Sequence, residues 1–417
     1  MRKKVIIVHP ERQHSYHTAI AIERMGYLDK YITTVYNQKG SLTYFFQKVF
    51  KGKNQKKASM RRNDNIPDEK ILRIYEPLAF ISLMLVRFPS LKKIYNKWRR
   101  VLNILFVKKV IKYLKYNDVD AIIAYDFTGA DILFKSIKEI KPSIKCILDV
   151  SIANRAFMKL NYEKDMEKTG LANLKKEQEL LWNRNIISQV KREVEYADYY
   201  FAPSQIVKES LLFCNAQEEK IYIVPYGVDI NKFKYNKRDK KTLPLELIYV
   251  GEISYRKGLH HLLDVVSKYN VDEVNISLAG AINVNSEIYN KYSKYKNIKF
   301  LGFVTQDVLT ELYNNKDVFV FATLGEGYGL VVLEALSCGL PVICSSLAGG
   351  NDAIIQGYNG FVFDGGNDEQ LKEYIDWFLN NLEQLPILSC NARKSVKNFT
   401  WDHYYQQYKD YLSDILD

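Results

Sequence analysis

The sequence predicts a two-domain α/β protein, each domain a doubly wound parallel sheet and the two facing each other across a cleft. At 417 residues the chain is longer than one hydrophobic core usually organises. Short apolar runs alternate with amphipathic helical segments, the pattern of buried parallel strands and crossover helices. That alternation starts twice, at Val5 and again at Leu247, and the charged stretch from Asn231 to Leu243 between the two has the composition of a linker. The expected divisions are residues 1–230, a linker at 231–245, a second domain at 246–395 and a closing helical segment at 396–417.

With 47% hydrophobic and 26% charged residues the composition is that of a globular protein. The Met-Arg-Lys-Lys start leads into Val5–Val8, too short for the apolar part of a signal peptide. The longest apolar stretch, Leu78–Val86, falls short of the roughly 20 residues a membrane-spanning helix requires. A cytoplasmic location is therefore expected. Five dispersed cysteines without metal-ligand spacing fit reduced thiols in a reducing compartment.

Taken in order, Val5–Val8 reads as the first strand and His9 to His17 as the loop after it, with a helix from about Thr18 to Met25. Residues just beyond the carboxyl ends of parallel strands line the ligand crevice. A lone histidine is commonly structural, so it is the clustering of His9, His14 and His17 that brings His14, beside the helix start, forward as a catalytic candidate. Thr43 to Arg62 carries no acidic residue and reads as a mobile basic loop. From Pro77 to Asn117 acids are again absent, while Leu91, Ile94, Tyr95, Trp98, Leu102 and Leu105 recur at helical spacing among cations. Basic amphipathic helices favour anionic membrane surfaces, each nearby cation contributing about 1 kcal/mol. Residues 44–115 are thus the expected membrane contact, with an ordinary solvated face as the alternative. Nucleic acid is disfavoured because no base-reading motif accompanies the charge.

Ala121–Ala124 is the next strand, ending in Tyr125 and Asp126, and Ala130–Ile140 a helix; Lys145–Leu148 follows, ending in Asp149. Tyr125, Asp126 and Asp149 therefore share a rim with His14. Asp118 and Asp120 precede their strand, on the opposite rim, and are rejected as a metal pair. Asn161 to Tyr196 reads as one or two surface helices, Ala197–Ser204 as a strand whose Ser204 can cap the next helix, and Ile221–Asp229 as the last strand of this half.

In the second half Leu247–Val250 is a strand, and the turn from Gly251 to Gly258 carries Arg256 and Lys257, suited to a phosphate, before the helix Leu259–Tyr269. Strands follow at Asn275–Ala279, Lys299–Gly302 and Val318–Ala322. The last breaks at a Gly-rich turn holding Glu326, Gly327, Tyr328 and Gly329, from which a helix carrying Glu334 runs to Gly339-Pro341. Unhindered N–H groups at a helix start suit an anion or a sugar hydroxyl. Two cations on one turn and paired carboxylates on another suit a nucleoside diphosphate bearing a sugar. Fixed cations and N–H dipoles stabilise the charge left on the diphosphate without a metal. A carboxylate accepting both ribose hydroxyls makes charge-assisted bonds worth about 1.5–3 kcal/mol each.

From about Ala197 onward the chain resembles retaining glycosyltransferases of the GT-B architecture, similar to glycosyltransferase family 4. Glu326-Gly-Tyr-Gly-Leu-Val-Val-Leu-Glu334 carries the resemblance, supported by Pro225-Tyr-Gly-Val-Asp229, Arg256-Lys-Gly258, Gly349-Gly350, Gly357–Phe363 and Phe399-Thr-Trp401. It implies two Rossmann-like domains and a final helix that crosses back to the first. Glu334 would then hold the ribose, and Glu326 would face the donor sugar. Gly327, Tyr328, Gly329 and Leu330 would offer backbone contacts, with Gly251 and Tyr125 also on the donor side. Arg256 and Lys257 would neutralise the diphosphate, and with Glu326, His14 and Asp126 they are the expected catalytic residues, the acceptor entering over the first domain's rim.

The implied activity moves a sugar from a nucleoside-diphosphate donor to a glycan acceptor, lipid-linked, at the inner face of a membrane, with neither metal nor cofactor. Departures from the family pattern are Glu252 where Arg often stands, His14-Ser15 in place of a glycine pair, Tyr125 in place of a histidine, and Asn351-Asp352 in place of Pro-Glu. They keep open a donor-binding subunit without catalysis. A phosphorylase or an epimerase on the same architecture is the further alternative, and no pyridoxal-type lysine motif supports the former.

Overall fold

The computed structural model describes residues 2–11, 14–49, 51–237 and 242–417. Part of the expected linker, residues 238–241, lies outside them, as do 12–13 of the first loop and 50 of the first basic stretch. Seven parallel strands form the first sheet: β1 (Val5–Val8), β2 (Leu28–Thr33), β3 (Ile71–Arg73), β4 (Ala121–Tyr125), β5 (Lys145–Asp149), β6 (Tyr199–Ala202) and β7 (Ile221–Ile223). Their order is β3-β2-β1-β4-β5-β6-β7. The second sheet has six, β8 (Leu245–Val250), β9 (Val274–Ala279), β10 (Ile298–Gly302), β11 (Val318–Phe321), β12 (Val342–Ser345) and β13 (Gly360–Phe363), in the order β10-β9-β8-β11-β12-β13. β1, β4, β9, β11 and β12 are buried along their whole length, which is why, apart from Asn275 and Ser277 in β9 and the closing Ser345 of β12, they read as apolar runs.

In both sheets the order reverses beside the first strand, between β1 and β4 and between β8 and β11, and ligands bind at the carboxyl ends beside such a switch. The two switch points meet. A Cβ on Gly327, beyond β11, would overlap the Ser151 carbonyl beyond β5 and lie 2.9 Å from the Ile152 Cα, so only glycine permits this approach. The final helix, Trp401–Leu416, lies on the first domain. Trp401 stacks on His17 with centroids 3.4 Å apart, Tyr404 shares a 3.0 Å hydrogen bond with Thr18, and Asp402 pairs with Arg24 at 2.8 Å.

Several local expectations are corrected. The basic stretch from Thr43 to Arg62 is largely helical, Leu42–Val49 and Lys53–Ser59. The Glu76 carboxylate accepts from the N–H groups of Leu42 (3.1 Å) and Thr43 (3.2 Å) and so caps the first helix from 33 and 34 residues away. The first helix starts at Ser15 rather than Thr18, and the last strand of the first half ends at Ile223. Ser204 occupies a cap position, yet its hydroxyl donates to the Gly327 carbonyl (3.0 Å), and Asp352 of the second domain accepts from the Gln205 N–H (2.8 Å) instead.

Candidate active site

Below the meeting of the two switch points lies a cavity of about 550 Å³ lined by His9, His14, His17, Arg99, Asp126, Ser151, Arg155, Tyr226, Glu326, Leu330 and Trp401, among others. Four predicted site residues, His14, Asp126, Glu326 and Leu330, thus come together. His14 precedes the first helix, and its Nε2 is 2.9 Å from Asp149 Oδ1. The Tyr226 hydroxyl lies 3.0 Å from His14 Nδ1. Asp149 also accepts from Thr18 (3.1 Å) and Tyr408 (3.2 Å), so the imidazole's orientation is fixed from behind by three elements. Burial, and then the neighbouring His14, push His17 down to about 4, so it is neutral at physiological pH.

Asp126 accepts from the backbone N–H and the hydroxyl of Ser151, both at 2.7 Å, and so shapes the loop that Gly327 touches. Burial raises its carboxyl, against those two bonds and the Arg155 charge. Tyr125 does not line this cavity. It is the last residue of β4 and fully buried, its ring edge-on to His14 at 5.1 Å, so it supports the histidine from beneath and does not reach a donor. Strand side chains alternate faces, which is why Asp126 reaches the rim and Tyr125 does not.

On the facing rim, Lys257 Nζ forms a short ion pair with Glu326 Oε2, and Arg256 Nη1 stands 3.6 Å from the same oxygen. Burial opposes ionisation of Glu326, but the charges of Lys257 and Arg256, with hydrogen bonds from Lys257 and the Gly327 N–H, outweigh it and hold the carboxyl below its ordinary range. Burial pulls Lys257 down, with Glu326 opposing. Glu177 of the first domain accepts from the N–H groups of Tyr255 (2.9 Å) and Arg256 (3.0 Å), so both the side chains and the backbone of this turn face carboxylates. Glu252 adds a weaker contact, 3.6 Å from Arg256.

Gly329, at φ +79°, directly precedes the helix Leu330–Ser337, and a Cβ there would stand 2.8 Å from Phe321; the left-handed turn places Leu330, the first residue of that helix, on the cavity wall. Tyr328 is buried, and its carbonyl accepts from the Gly350 N–H. Glu334, one turn beyond Leu330, lies beside Lys232 and Tyr313. Burial raises its carboxyl to about 7, with Lys232 and Tyr313 opposing. Gly251 follows β8, and its carbonyl is in contact with Gly280, since a Cβ on Gly280 would overlap it.

Sequence reasoning missed Arg155 and Arg99. Arg155 opens the helix Arg155–Thr169 on the rim beyond β5, and its guanidinium lies 4.0 Å over the Phe127 ring. Its place after a strand end was the available signal. Arg99, read as facing a membrane, instead pairs with Glu11 at 3.0 Å on the cavity edge. Asp118 pairs with Lys141 (2.6 Å) and Asp120 accepts from the Lys4 N–H (2.7 Å), both away from the cavity.

Residues 229–395 match the family described as glycosyl transferases group 1. Over 236 residues the chain is 29% identical to the capsular polysaccharide biosynthesis glycosyltransferase CapM of Staphylococcus aureus, covering 51% of this chain and 62% of that protein. Over 219 residues it is 28% identical to a sulfoquinovosyl transferase of Arabidopsis thaliana, covering 49% and 42%. The matches thus span less than two thirds of these relatives. Anabaena HepE in complex with UDP superposes with a TM-score of 0.64 at 15% identity, over 99% of this chain and 100% of that one. Sucrose-phosphate synthase from Thermosynechococcus elongatus gives 0.65 at 15% identity, over 99% of each. The two facing domains are therefore a GT-B fold, and the likeness carried by Glu326–Glu334 is shared by the whole second sheet.

Proposed function

We propose that this chain is a retaining glycosyltransferase that moves a sugar from a nucleoside-diphosphate donor to a glycan acceptor, in the synthesis of a surface polysaccharide or related glycan. One observation carries the reading: Arg256 and Lys257 converge on Glu326 at the cavity mouth, with Glu334 a short helix away. HepE has been crystallised with UDP-glucose, which supports a nucleotide-sugar donor here. The bond from the anomeric carbon to the diphosphate breaks, and the charge on the departing oxygen is met by Arg256, Lys257 and the N–H groups at Gly329 and Leu330, so the donor side needs no metal. The acceptor hydroxyl enters from the cavity between His14, Asp126 and Arg155; its oxygen bonds to the anomeric carbon on the face the diphosphate leaves, and its proton passes to a diphosphate oxygen.

Exposed apolar side chains support an acceptor held at an anionic membrane surface. Phe45, Val49, Met60, Met84, Val86, Phe88 and Ile94 are each at least half exposed, with Lys48, Lys56, Lys57, Lys92 and Lys93 in the same segments. Among the described residues no helix is long and apolar enough to cross a membrane, so this surface is the proposed means of peripheral attachment at the cytoplasmic face. Glu334→Ala and Lys257→Ala should each remove most sugar transfer, measured as nucleoside diphosphate released with acceptor present; turnover like the parent's in both would sink the assignment. The contact of Glu252 with Arg256 favours the second reading, donor binding without catalysis. Binding with neither transfer nor hydrolysis across donors and acceptors would favour it.

A further inference from the structure

Away from the cavity, where the helix Arg155–Thr169 of the first domain meets the helix Leu259–Val266 of the second, Asp165, His260 and His261 converge and are all buried. Their ligating atoms lie within 4.8 Å of one another. Asp165 presents one oxygen to each ring, Oδ1 at 2.6 Å from His261 Nε2 and Oδ2 at 3.2 Å from His260 Nε2. His261 turns its other nitrogen, Nδ1, to Asp368 at 2.6 Å. A carboxylate on the far nitrogen of a metal-binding histidine fixes its tautomer and orientation.

We propose that Asp165, His260 and His261 form a site for a divalent transition metal of the zinc class, clamping the two domains together. Two imidazole nitrogens and a carboxylate able to offer both oxygens make the N and O donor set that zinc takes in tetrahedral sites, whereas magnesium and calcium prefer oxygen alone. At metal bonds of about 2.0–2.1 Å, neighbouring donors stand roughly 3 Å apart, so the 2.6 Å pair opens by well under 1 Å on a small turn of the carboxylate. The metal takes the Nε2 lone pairs of two neutral imidazoles: the proton between Asp165 and His261 Nε2 is released to solvent while His261 keeps the Nδ1 proton it gives to Asp368, and His260 carries its single proton on Nδ1. The backbone already closes over the spot. A Cβ on Gly366 would lie 3.2 Å from Asp165 Oδ1 and 3.5 Å from His261 Nε2, and Lys168 of the first domain donates to the Gly366 carbonyl at 2.7 Å. The clamp begins three residues after Lys257, so it fixes the turn that holds the donor-side cations.

The test uses the full chain freed of any purification tag, loaded with Zn²⁺, desalted and analysed by mass spectrometry for metal. The clamp predicts about one zinc per chain, and a Co²⁺-loaded chain with the visible absorption of a tetrahedral site. His260→Gln keeps the Asp165–His261–Asp368 chain of hydrogen bonds, so it should fold yet lose the metal. Asp368→Asn, at a half-exposed carboxylate, should weaken zinc binding about 10- to 100-fold. No retained metal in the parent chain overturns the proposal, as does equal retention by His260→Gln, or by Asp368→Asn should the histidine variant fail to fold.

Discussion

Replacing Glu334 by glutamine should make the protein more stable and a poorer binder of its donor. Burial lifts the Glu334 carboxyl from an ordinary 4.5 to about 7. At about 1.36 kcal/mol per pKa unit, ionising it in the folded chain costs on the order of 3 kcal/mol relative to the unfolded chain. The sign follows from proton counts. Between about 4.5 and 7 the unfolded chain has lost this proton and the folded chain has kept it, so stability from this group is full below 4.5, falls as pH rises, and is lost above 7. Glutamine keeps the shape and does not titrate. Its advantage over the parent should therefore be near zero at pH 4.5 and level off above pH 7 at about 1–3 kcal/mol, a rise in melting temperature of several degrees.

A nucleotide sugar reverses the ranking, because the carboxylate accepts two ribose hydroxyls and the amide oxygen is a weaker acceptor. Losing about 1.5–3 kcal/mol corresponds to about 10- to 100-fold in Kd. Parent affinity should also fall as pH drops below 7 while that of the variant stays flat. Differential scanning fluorimetry at pH 5 and 8, with calorimetric titration of the donor, reads both effects. A variant less stable than the parent at pH 8, or one binding the donor equally well, would refute this account of Glu334.

Three further outcomes follow from other parts of the molecule. Lys257→Met should lower turnover about 100- to 1000-fold and destabilise the fold, since the only cation Glu326 then keeps among the described residues is Arg256 at 3.6 Å, beside the Gly327 N–H; adding Glu326→Gln should restore stability but not turnover, as denaturant melts and nucleotide-release assays would show. Gly327→Ala should leave each domain folded but hold them apart, because the new methyl meets the Ser151 carbonyl; small-angle scattering should report a larger radius of gyration, and an unchanged radius would contradict the closure drawn here. On the basic face, charge reversal of Lys92 and Lys93 with Phe88→Ser should abolish flotation with anionic liposomes; flotation with anionic vesicles should also weaken with salt. Equal flotation with neutral vesicles would contradict the membrane surface.

Strands buried on both faces were legible, because apolar residues fill most of their positions, Asn275 and Ser277 of β9 being buried exceptions. β2 was not, since Asp29 and Lys30 are only partly buried near its start, and β3 is a three-residue edge strand. The helices between 42 and 59 were hidden for another reason: Glu76 supplies two cap bonds of the first from a distant element, and the one local signal, Ser41, whose hydroxyl accepts from the Tyr44 N–H at 2.9 Å, stands in a stretch read as a basic loop. Asp352 on Gln205 and Glu177 on the 255–256 turn act likewise, each a carboxylate from one domain satisfying N–H groups of the other. The rim rule found His14, Asp126 and Asp149, and the Gly-rich turn found Glu326. What it could not give was pairing: that Glu326 draws in Lys257 and Arg256, that Arg99 turns to Glu11, or that Tyr125 lies beneath His14.

The most direct test of the central claim is a panel of nucleoside-diphosphate sugars, scored first by melting temperature and then, for each binder, by proton NMR of the product formed with glycan acceptors. The account predicts that at least one donor raises the melting temperature of the parent chain, does so less for Glu334→Gln, and is converted to a glycoside with the donor's anomeric configuration. A donor that binds and yields the inverted anomer would contradict the retaining chemistry. A panel in which no nucleotide sugar binds would contradict the site itself.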